Sequence, residues 1–224
     1  MASTELTSAI GPLPDAWRVH EDAALIALDK PAGLLSVPGR GPDKADCLSA
    51  RAQRRWPDAL VVHRLDQATS GLLLLARGAA VQRALSLAFA ERRLHKRYEA
   101  IVHGLLPPAD TADGWGQIQL PLRLDWPRRP RSIVDAEHGK PSRTRWRVLR
   151  QDPASATTRL ELEPITGRSH QLRVHLQAIG HPIVGDALYG PADGAPRLLL
   201  HAHTLALAHP VSGQPLVLSR APPF

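Results

Sequence analysis

The sequence predicts a protein built from both strands and helices. Residues 72–76 are four leucines and an alanine, an apolar run of the length of a buried strand. Residues 143–150 alternate between arginines and less polar side chains, which is the pattern of a half-buried strand. Apolar residues at helical spacing predict helices over 79–93 and 169–179. The chain has 224 residues, 43% of them hydrophobic. It can therefore bury a sizeable core as one domain or as a domain with two lobes.

The remaining elements follow from the same patterns. Residues 1 to about 20 are interpreted as a loose leader. Further strands are predicted over residues 23–28, 98–102, 158–163, 198–208 and 216–218. A short helix is predicted over residues 47–56, with Asp46 as its cap. Residues 107–131 contain many prolines, glycines and tryptophans, which predicts a long excursion with little regular structure.

Charge and cysteine content limit the class of protein. The net charge is +7 and the sequence pI is about 10.4, a balance that favours a polyanionic partner. Most of the positive charge comes from arginine, which suits contact with phosphates and bases. Cys47 is the one cysteine, so no internal disulfide can form and a reducing cytosol is natural. No apolar run approaches the roughly 20 residues of a membrane-spanning helix, and no signal peptide is visible. The sequence predicts a cytoplasmic protein with no membrane contact.

A polar segment, residues 63–71, lies between two apolar runs and contains Asp66 two positions after Arg64. A carboxylate fixed between two core strands has little freedom, which is how a protein presents an acid as a reagent. The alternative is structural. Asp66 would then pair with Arg64 or accept hydrogen bonds from the hydroxyls of Thr69 and Ser70. The segment by itself leaves both interpretations open.

Other chemistries find little support in the sequence. A zinc-binding helix places two histidines four positions apart with a glutamate, whereas His170 and His175 are five apart. The pair His201 and His203 has no evident set of cysteine or carboxylate partners. The nucleophile motif of serine hydrolases and the glycine-rich motifs of nucleotide-binding proteins are missing from the sequence. We therefore expect no metal and no cofactor. A non-catalytic basic RNA-binding module remains the alternative to an enzyme.

Two blocks of sequence resemble a known family. Residues 63–71, His-Arg-Leu-Asp-x-x-Thr-Ser-Gly, resemble the signature of the RluA family of pseudouridine synthases at every defined position. A second block, residues 164–175 (PITGRSHQLRVH), also matches and continues through residues 180–186. The resemblance extends from about Asp22 to the C-terminus. It implies an α+β fold, with a mixed, mainly antiparallel sheet, flanking helices and a central basic cleft. It also implies that residues 21–224 form a single pseudouridine synthase domain, without the N-terminal S4 domain that many members carry.

The resemblance also implies the reaction and its residues. These enzymes isomerise uridine to pseudouridine in RNA and need neither cofactor nor metal. Asp66 corresponds to the catalytic carboxylate, and Arg168 to its ion-pair partner, which keeps it ionised and aimed. Tyr98, which follows Lys96 and Arg97, corresponds to the residue that packs on the uracil and helps to remove the C5 proton. Arg64 corresponds to the residue that assists base flipping.

The expected partners are RNA stem-loops. The smaller members of the family act on a 23S rRNA stem-loop (the uridine 746 type) and on the tRNA anticodon stem-loop (the uridine 32 type). Arg123, Arg128, Arg129 and Arg131 surround Trp126, and basic residues interleaved with an aromatic suit nucleic acid. The alternative is a solvated loop with Trp126 packed into the core. The size of the chain fits a monomer.

Overall fold

The computed structural model describes residues 10–41 and 44–224. The chain divides into two compact units. The first unit comprises residues 1–95 and 202–222, and the second comprises residues 96–201 and 223–224. The first nine residues of the predicted leader lie outside the described part of the chain.

In the described ranges the chain forms a short 3-10 helix, three α-helices and twelve strands. The 3-10 helix is Asp15–Trp17, and the α-helices are α1 (Leu48–Arg55), α2 (Ala79–Ala90) and α3 (Gln171–Ala178). The strands are β1 (Arg18–Glu21), β2 (Leu25–Lys30), β3 (Ala59–Val61), β4 (Ser70–Arg77), β5 (His95–His103), β6 (Gly116–Gln119), β7 (Leu122–Leu124), β8 (Ser132–Val134), β9 (Arg143–Asp152), β10 (Thr157–Pro164), β11 (Leu200–Ala208) and β12 (Pro215–Ser219). None of these helices combines the length and the apolar character that crossing a membrane requires.

The first unit is organised around β4. Strand β2 lies between β1 and β4, β3 also pairs with β4, and β12 pairs with β11. All four of these pairings are antiparallel. The leucines at 72–75 are fully buried because both faces of β4 are covered. Leu72 and Leu74 pack in a cluster with Leu85 of α2. Leu73 and Leu75 pack on the other face with Leu48 of α1. Burial on both faces explains why the apolar run is continuous rather than alternating.

The second unit contains the strand order β5-β10-β9-β6 and a separate β7-β8 hairpin. These pairings are antiparallel as well. The predicted partnership of residues 143–150 with residues 158–163 is confirmed as the β9–β10 pair. Helix α3 ends before Gly180, which has a φ of +83°, as predicted from the position of this glycine. The mixed, mostly antiparallel α+β architecture is therefore the predicted one.

Three local predictions were wrong. The cap of α1 is Cys47, whose Sγ accepts a hydrogen bond from the Ala50 N–H at 3.4 Å, while Asp46 pairs with Arg51. The predicted leader is partly structured, because residues 15–17 form the 3-10 helix and β1 pairs with β2. The predicted irregular excursion over 107–131 contains β6 and β7. Short strands of three or four residues leave a weak sequence pattern, which explains the last error.

Candidate active site

The catalytic candidate Asp66 lies on a loop, residues 62–69, that connects β3 to β4. We call this segment the Asp66 loop. Arg64 is exposed and Asp66 is partly exposed, whereas Leu65 between them is buried. Strand β3 ends at Val61. The loop therefore begins before either residue, and strand alternation does not decide which way the two side chains face.

Backbone contacts fix the Asp66 loop on both sides of Asp66. The Ser36 hydroxyl donates to the Leu65 carbonyl at 2.7 Å and accepts from the Leu65 N–H at 3.1 Å. After Asp66, the Thr69 N–H donates to the Asp66 carbonyl at 3.1 Å. The side chain of Leu65 is 7% exposed and anchors the loop in the core. The backbone on both sides of the Asp66 side chain is thus held by its neighbours.

A buried lysine supports the same loop. Lys30, at the end of β2, is 0% exposed. Its ammonium group donates to the carbonyls of Pro31 at 2.9 Å, Leu34 at 2.8 Å and Gln67 at 3.1 Å. The Gly33 N–H donates to the same Gln67 carbonyl at 2.8 Å. Lys30 therefore ties the turn after β2 to the Asp66 loop. The strand predicted over residues 23–28 stops short of this lysine.

Two further contacts hold the ends of the loop. The Leu74 N–H donates to Nε2 of His63 at 2.9 Å, and the imidazole stacks on Phe89 with ring centroids 4.6 Å apart. Gly71 has a φ of +112°, and a Cβ there would lie 2.3 Å from the carbonyl oxygen of Ala202. Only glycine fits this position, because the φ is positive and a Cβ has no room.

The second unit carries Arg168 on the loop between β10 and α3. Its side chain is exposed, and its backbone is held by the buried amide of Gln171. Oε1 of Gln171 accepts from the Arg168 N–H at 3.1 Å and from the Thr166 hydroxyl at 2.7 Å. Nε2 donates to the Arg143 carbonyl and to the Thr144 hydroxyl, both at 3.0 Å. Because all four hydrogen-bonding positions of this amide are used, it is a rigid support. No local sequence pattern singles out Gln171.

Tyr98, the candidate for the uracil contact, lies on β5 opposite Leu162 of β10. It is half-buried, as are Lys96 and Arg97 before it. The predicted strand is therefore confirmed, with Tyr98 at one end of the antiparallel pairing between β5 and β10.

The predicted RNA-binding arginines lie at the tip of the β7-β8 hairpin, residues 125–131, which we call the basic hairpin loop. The Asp125 N–H donates to the Arg131 carbonyl at 2.9 Å and closes the loop. The buried Asp125 carboxylate pairs with Arg128 at 2.6 Å. The guanidinium of Arg129 lies 4.4 Å from the ring centroid of Trp126, which is 61% exposed. The alternative that Trp126 packs into the core is therefore wrong. Arg128 and Arg129 are exposed, whereas Arg131 is half-buried.

Other arginines of the second unit are paired with carboxylates. Arg123 pairs with Asp135. On β9, Arg147 pairs with Glu161, and Arg145 lies 3.1 Å from Glu163. These two positive charges are thus balanced by carboxylates of the neighbouring strand β10.

The histidines considered as metal ligands have structural contacts. Nδ1 of His170 lies 2.8 Å from the Tyr189 hydroxyl. His175 bonds the Thr144 hydroxyl at 2.9 Å and the Leu120 carbonyl at 3.1 Å. Burial lowers the pKa of His175, so this imidazole is neutral at pH 7. Within residues 10–41 and 44–224, no three His, Cys, Asp or Glu side chains are grouped to hold a metal ion.

The structure thus groups the site residues by unit. Arg64 and Asp66 share one loop of the first unit, while Tyr98, Arg168 and the basic hairpin loop lie on separate elements of the second. The pairing of Asp66 with Arg168 stays a prediction. Lys30, Gln171 and Tyr189 were missed. A lysine directly after an apolar strand is the one signal that could have directed attention to Lys30.

Comparison with known proteins identifies the family. The model of the RNA pseudouridylate synthase family matches residues 24–178. A curated relative from Escherichia coli (strain K12), the dual-specificity RNA pseudouridine synthase RluA, is 44% identical over 95% of this chain and 97% of its own length. The protein of the same name from Vibrio vulnificus is 46% identical over 90% of this chain and 82% of its own. Among solved structures, human RNA pseudouridylate synthase domain containing 1 matches with a TM-score of 0.74 at 28% identity, covering 92% of this chain and 83% of that one.

An α+β fold in which the two signature blocks include the loops before β4 and before α3 is thus the fold of an RNA-modifying isomerase. The chain belongs to the RNA pseudouridylate synthase family, and within it to the RluA group. It is therefore an enzyme that acts on RNA and converts uridine to pseudouridine, rather than a non-catalytic RNA-binding module.

Proposed function

We propose that this pseudouridine synthase acts on two kinds of stem-loop, one in 23S rRNA and one in the anticodon arm of tRNA. The words "dual-specificity" in the names of the relatives from Escherichia coli and Vibrio vulnificus support two targets. The exposed Trp126 and its neighbouring arginines support contact with a loop that has unpaired bases. We further propose that residues 21–224 act as one catalytic domain, as a monomer, in the cytoplasm where these RNAs are found.

The observation that carries the catalytic proposal is the fixed and partly exposed Asp66. Pseudouridine formation breaks the N1–C1′ bond of the uridine, turns the uracil and rejoins it through C5. A carboxylate at Asp66 provides the electron pair for this reaction. It either adds to the base or the sugar as a nucleophile, or it removes a proton from the sugar. The reaction is an isomerisation without redox change, and we assign no metal or cofactor to it.

Arg168 and Tyr98 are proposed to complete the catalytic group. By resemblance Arg168 forms an ion pair with Asp66, which favours the charged form of the carboxylate and fixes its direction. The hydrogen bonds from Gln171 support this role, because they fix the backbone from which the guanidinium extends. Tyr98 is proposed to pack on the uracil and to help remove the C5 proton. Its half-buried position leaves part of the phenol accessible.

RNA is proposed to bind in a basic cleft to which Arg64, Arg128, Arg129 and Arg131 contribute. The net charge of +7 supports attraction of the phosphate backbone. Arg64 is proposed to assist base flipping, because a planar cation can occupy the space that an extruded base leaves. Its exposure next to Asp66 supports this role.

Chemical mapping of pseudouridine tests the two proposed targets. Total RNA from cells with and without the gene should differ at one 23S rRNA stem-loop and at one anticodon-loop position. Both sites should return with a plasmid copy of the gene but not with its Asp66→Asn version. Isomerisation leaves the mass unchanged, so a mapping reagent specific for pseudouridine is required. If both RNAs keep every pseudouridine after deletion, these targets are wrong.

The role of Arg64 can be separated from simple charge pairing. Extruding a stacked base costs a few kcal/mol, so Arg64→Ala should slow single-turnover conversion most where the target uridine is stacked or paired. We expect the loss on such a stem-loop to exceed the loss on an RNA with an unpaired target by about tenfold, or about 1.4 kcal/mol of assistance to flipping. The fluorescence of 2-aminopurine beside the target reports the flip itself.

Arg83→Ala is the matched control for this experiment. Arg83 is exposed on α2, so the variant removes the same charge from the first unit without altering the Asp66 loop. The variant should slow the conversion of both RNAs slightly and to the same extent. Equal losses on the two RNAs for Arg64→Ala, with normal flipping, would leave Arg64 as a charge partner of Asp66 only.

A further inference from the structure

An unusual backbone conformation lies two residues after Arg168. His170, at the cap of α3, has a φ of +54° and a ψ of +19°, in the left-handed region. This region is unfavourable for residues other than glycine and persists where the surroundings enforce it. Here the imidazole is buried, and its Nδ1 lies 2.8 Å from the hydroxyl of Tyr189. The contact with Tyr189 therefore helps to set the chain direction at the end of the Arg168 loop.

The same hydroxyl has a second partner on another element. The N–H of Ser132 donates to it at 2.7 Å. Ser132 is the first residue of β8 and directly follows Arg131 of the basic hairpin loop. The phenol oxygen of Tyr189 thus joins Ser132, at the base of the basic hairpin loop, to His170, at the cap of α3.

The phenol ring is itself firmly held. Tyr189 is 8% exposed and packs in a cluster with Leu122 of β7 and Val174 of α3. Its N–H donates to Asp186 at 3.1 Å. The Asp186 carboxylate in turn makes two hydrogen bonds of 2.7 Å with the buried guanidinium of Arg173. A hydroxyl that is held so rigidly can fix the position of one loop relative to the other.

We infer that Tyr189 is a positioning residue, which holds the basic hairpin loop and the Arg168 loop in fixed register through Ser132 and His170. An RNA stem-loop gripped by the basic hairpin loop is thereby aligned with Arg168. The inference rests on the proposed roles of Arg168 in catalysis and of the basic hairpin loop in RNA binding. It adds a residue that neither touches the RNA nor belongs to the signature blocks.

The variant Tyr189→Phe removes the hydroxyl and keeps the ring. We expect its single-turnover rate, measured as tritium released from C5 of the uridine in an anticodon stem-loop, to fall about tenfold, because small misplacements of catalytic groups are costly. Val174→Ala is the control, since it disturbs the same cluster from α3 without touching the hydroxyl. If both variants lose activity in proportion to their fall in Tm, Tyr189 is only a structural residue.

A double-mutant cycle shows whether Tyr189 acts through Arg168. The first background is Arg168→Ala, provided that the tritium assay still detects its turnover. In this background Tyr189→Phe should lower the single-turnover rate by less than about twofold, because residues that act as one unit give non-additive losses. If turnover is too slow, Arg168→Lys serves instead. Additive losses with an impaired Arg168 variant would overturn the inference and leave the catalytic role of Arg168 intact. If Arg168→Ala itself does not change the rate, both the inference and the catalytic role of Arg168 are wrong.

Variants of His170 test the connection from its other end, and they serve if Tyr189→Phe does not fold. Glycine accepts the left-handed conformation but lacks the side chain, so His170→Gly should lose about as much rate as Tyr189→Phe. Asparagine also tolerates this conformation, and its amide occupies the position of Nδ1. His170→Asn should therefore recover at least about fivefold of the rate lost in His170→Gly. No recovery would show that the hydrogen bond to Tyr189 does not position the loop.

Discussion

Asp66→Asn should abolish turnover while leaving RNA binding and folding nearly intact. The amide has almost the shape of the carboxylate but cannot supply the electron pair that the reaction requires. We expect a loss of about 10⁴-fold or more, comparable with the removal of a central catalytic group in other enzymes. The measurement is single-turnover release of tritium from C5 of the target uridine, with RNA affinity and Tm determined on the same protein.

The structure explains why the folded state should tolerate this change. The backbone carbonyl of Asp66 accepts a hydrogen bond from the Thr69 N–H, and asparagine keeps this contact. The matched control is Asp58→Asn, which removes the same charge from a surface pair with Arg77 in the first unit. That variant should turn over like the wild type. If Asp66→Asn converts uridine within about tenfold of the wild-type rate, Asp66 is not the catalytic carboxylate.

Local patterns predicted most of the fold. The leucine run at 72–75 was predictable as a strand because a short apolar run bounded by turn residues has the length of a strand and is too short for a typical helix. Helix α3 and its end at Gly180 followed from apolar spacing and a cap position. The wrong cap of α1 shows where local patterns fail. Asp46 was predicted because of its residue type, but its carboxylate binds Arg51, and the adjacent Cys47 is the cap.

The catalytic candidates were accessible from sequence, but their supports were not. The signature over residues 63–71 indicated Asp66 from residue identities alone, without any knowledge of the geometry. Strand periodicity does not mark the point where β3 stops, which is Val61. The supports depend on contacts between distant residues, such as Tyr189 with Ser132 across 57 positions. Such pairings are set by the tertiary fold and leave no local pattern.

The Lys30→Met variant should be the most destabilising single change near the active site. Methionine has nearly the length of lysine, so it fills the space but cannot donate a hydrogen bond. The carbonyls of Pro31, Leu34 and Gln67 then lose the ammonium group, which is 0% exposed in the wild type. Leaving a buried polar group unsatisfied costs about 1–3 kcal/mol. Removing a buried charge returns part of that cost, and we expect a net loss of about 3 kcal/mol in the free energy of unfolding.

The same change should affect catalysis more than RNA binding. Lys30 joins the turn after β2 to the Asp66 loop through the Gln67 carbonyl, one residue from the carboxylate. Without that bond the Asp66 loop is less restrained, and poorly placed catalytic groups lower kcat. We expect kcat to fall about tenfold or more, with stem-loop affinity changed less than about threefold. Amide exchange at Leu65 and Thr69 should accelerate, because these N–H groups report opening of the loop.

The exposed Lys44 provides the matched control. Lys44→Met makes the same chemical change at the surface and should alter the free energy of unfolding by no more than about 0.5 kcal/mol. Urea unfolding of both variants gives the comparison, and kinetics are measured where each protein remains folded. If Lys30→Met lies within about 1 kcal/mol of the wild type and its amides at Leu65 and Thr69 exchange normally, the ammonium group does not hold the loop. The support of Asp66 would then rest on Ser36 and on the packing of Leu65.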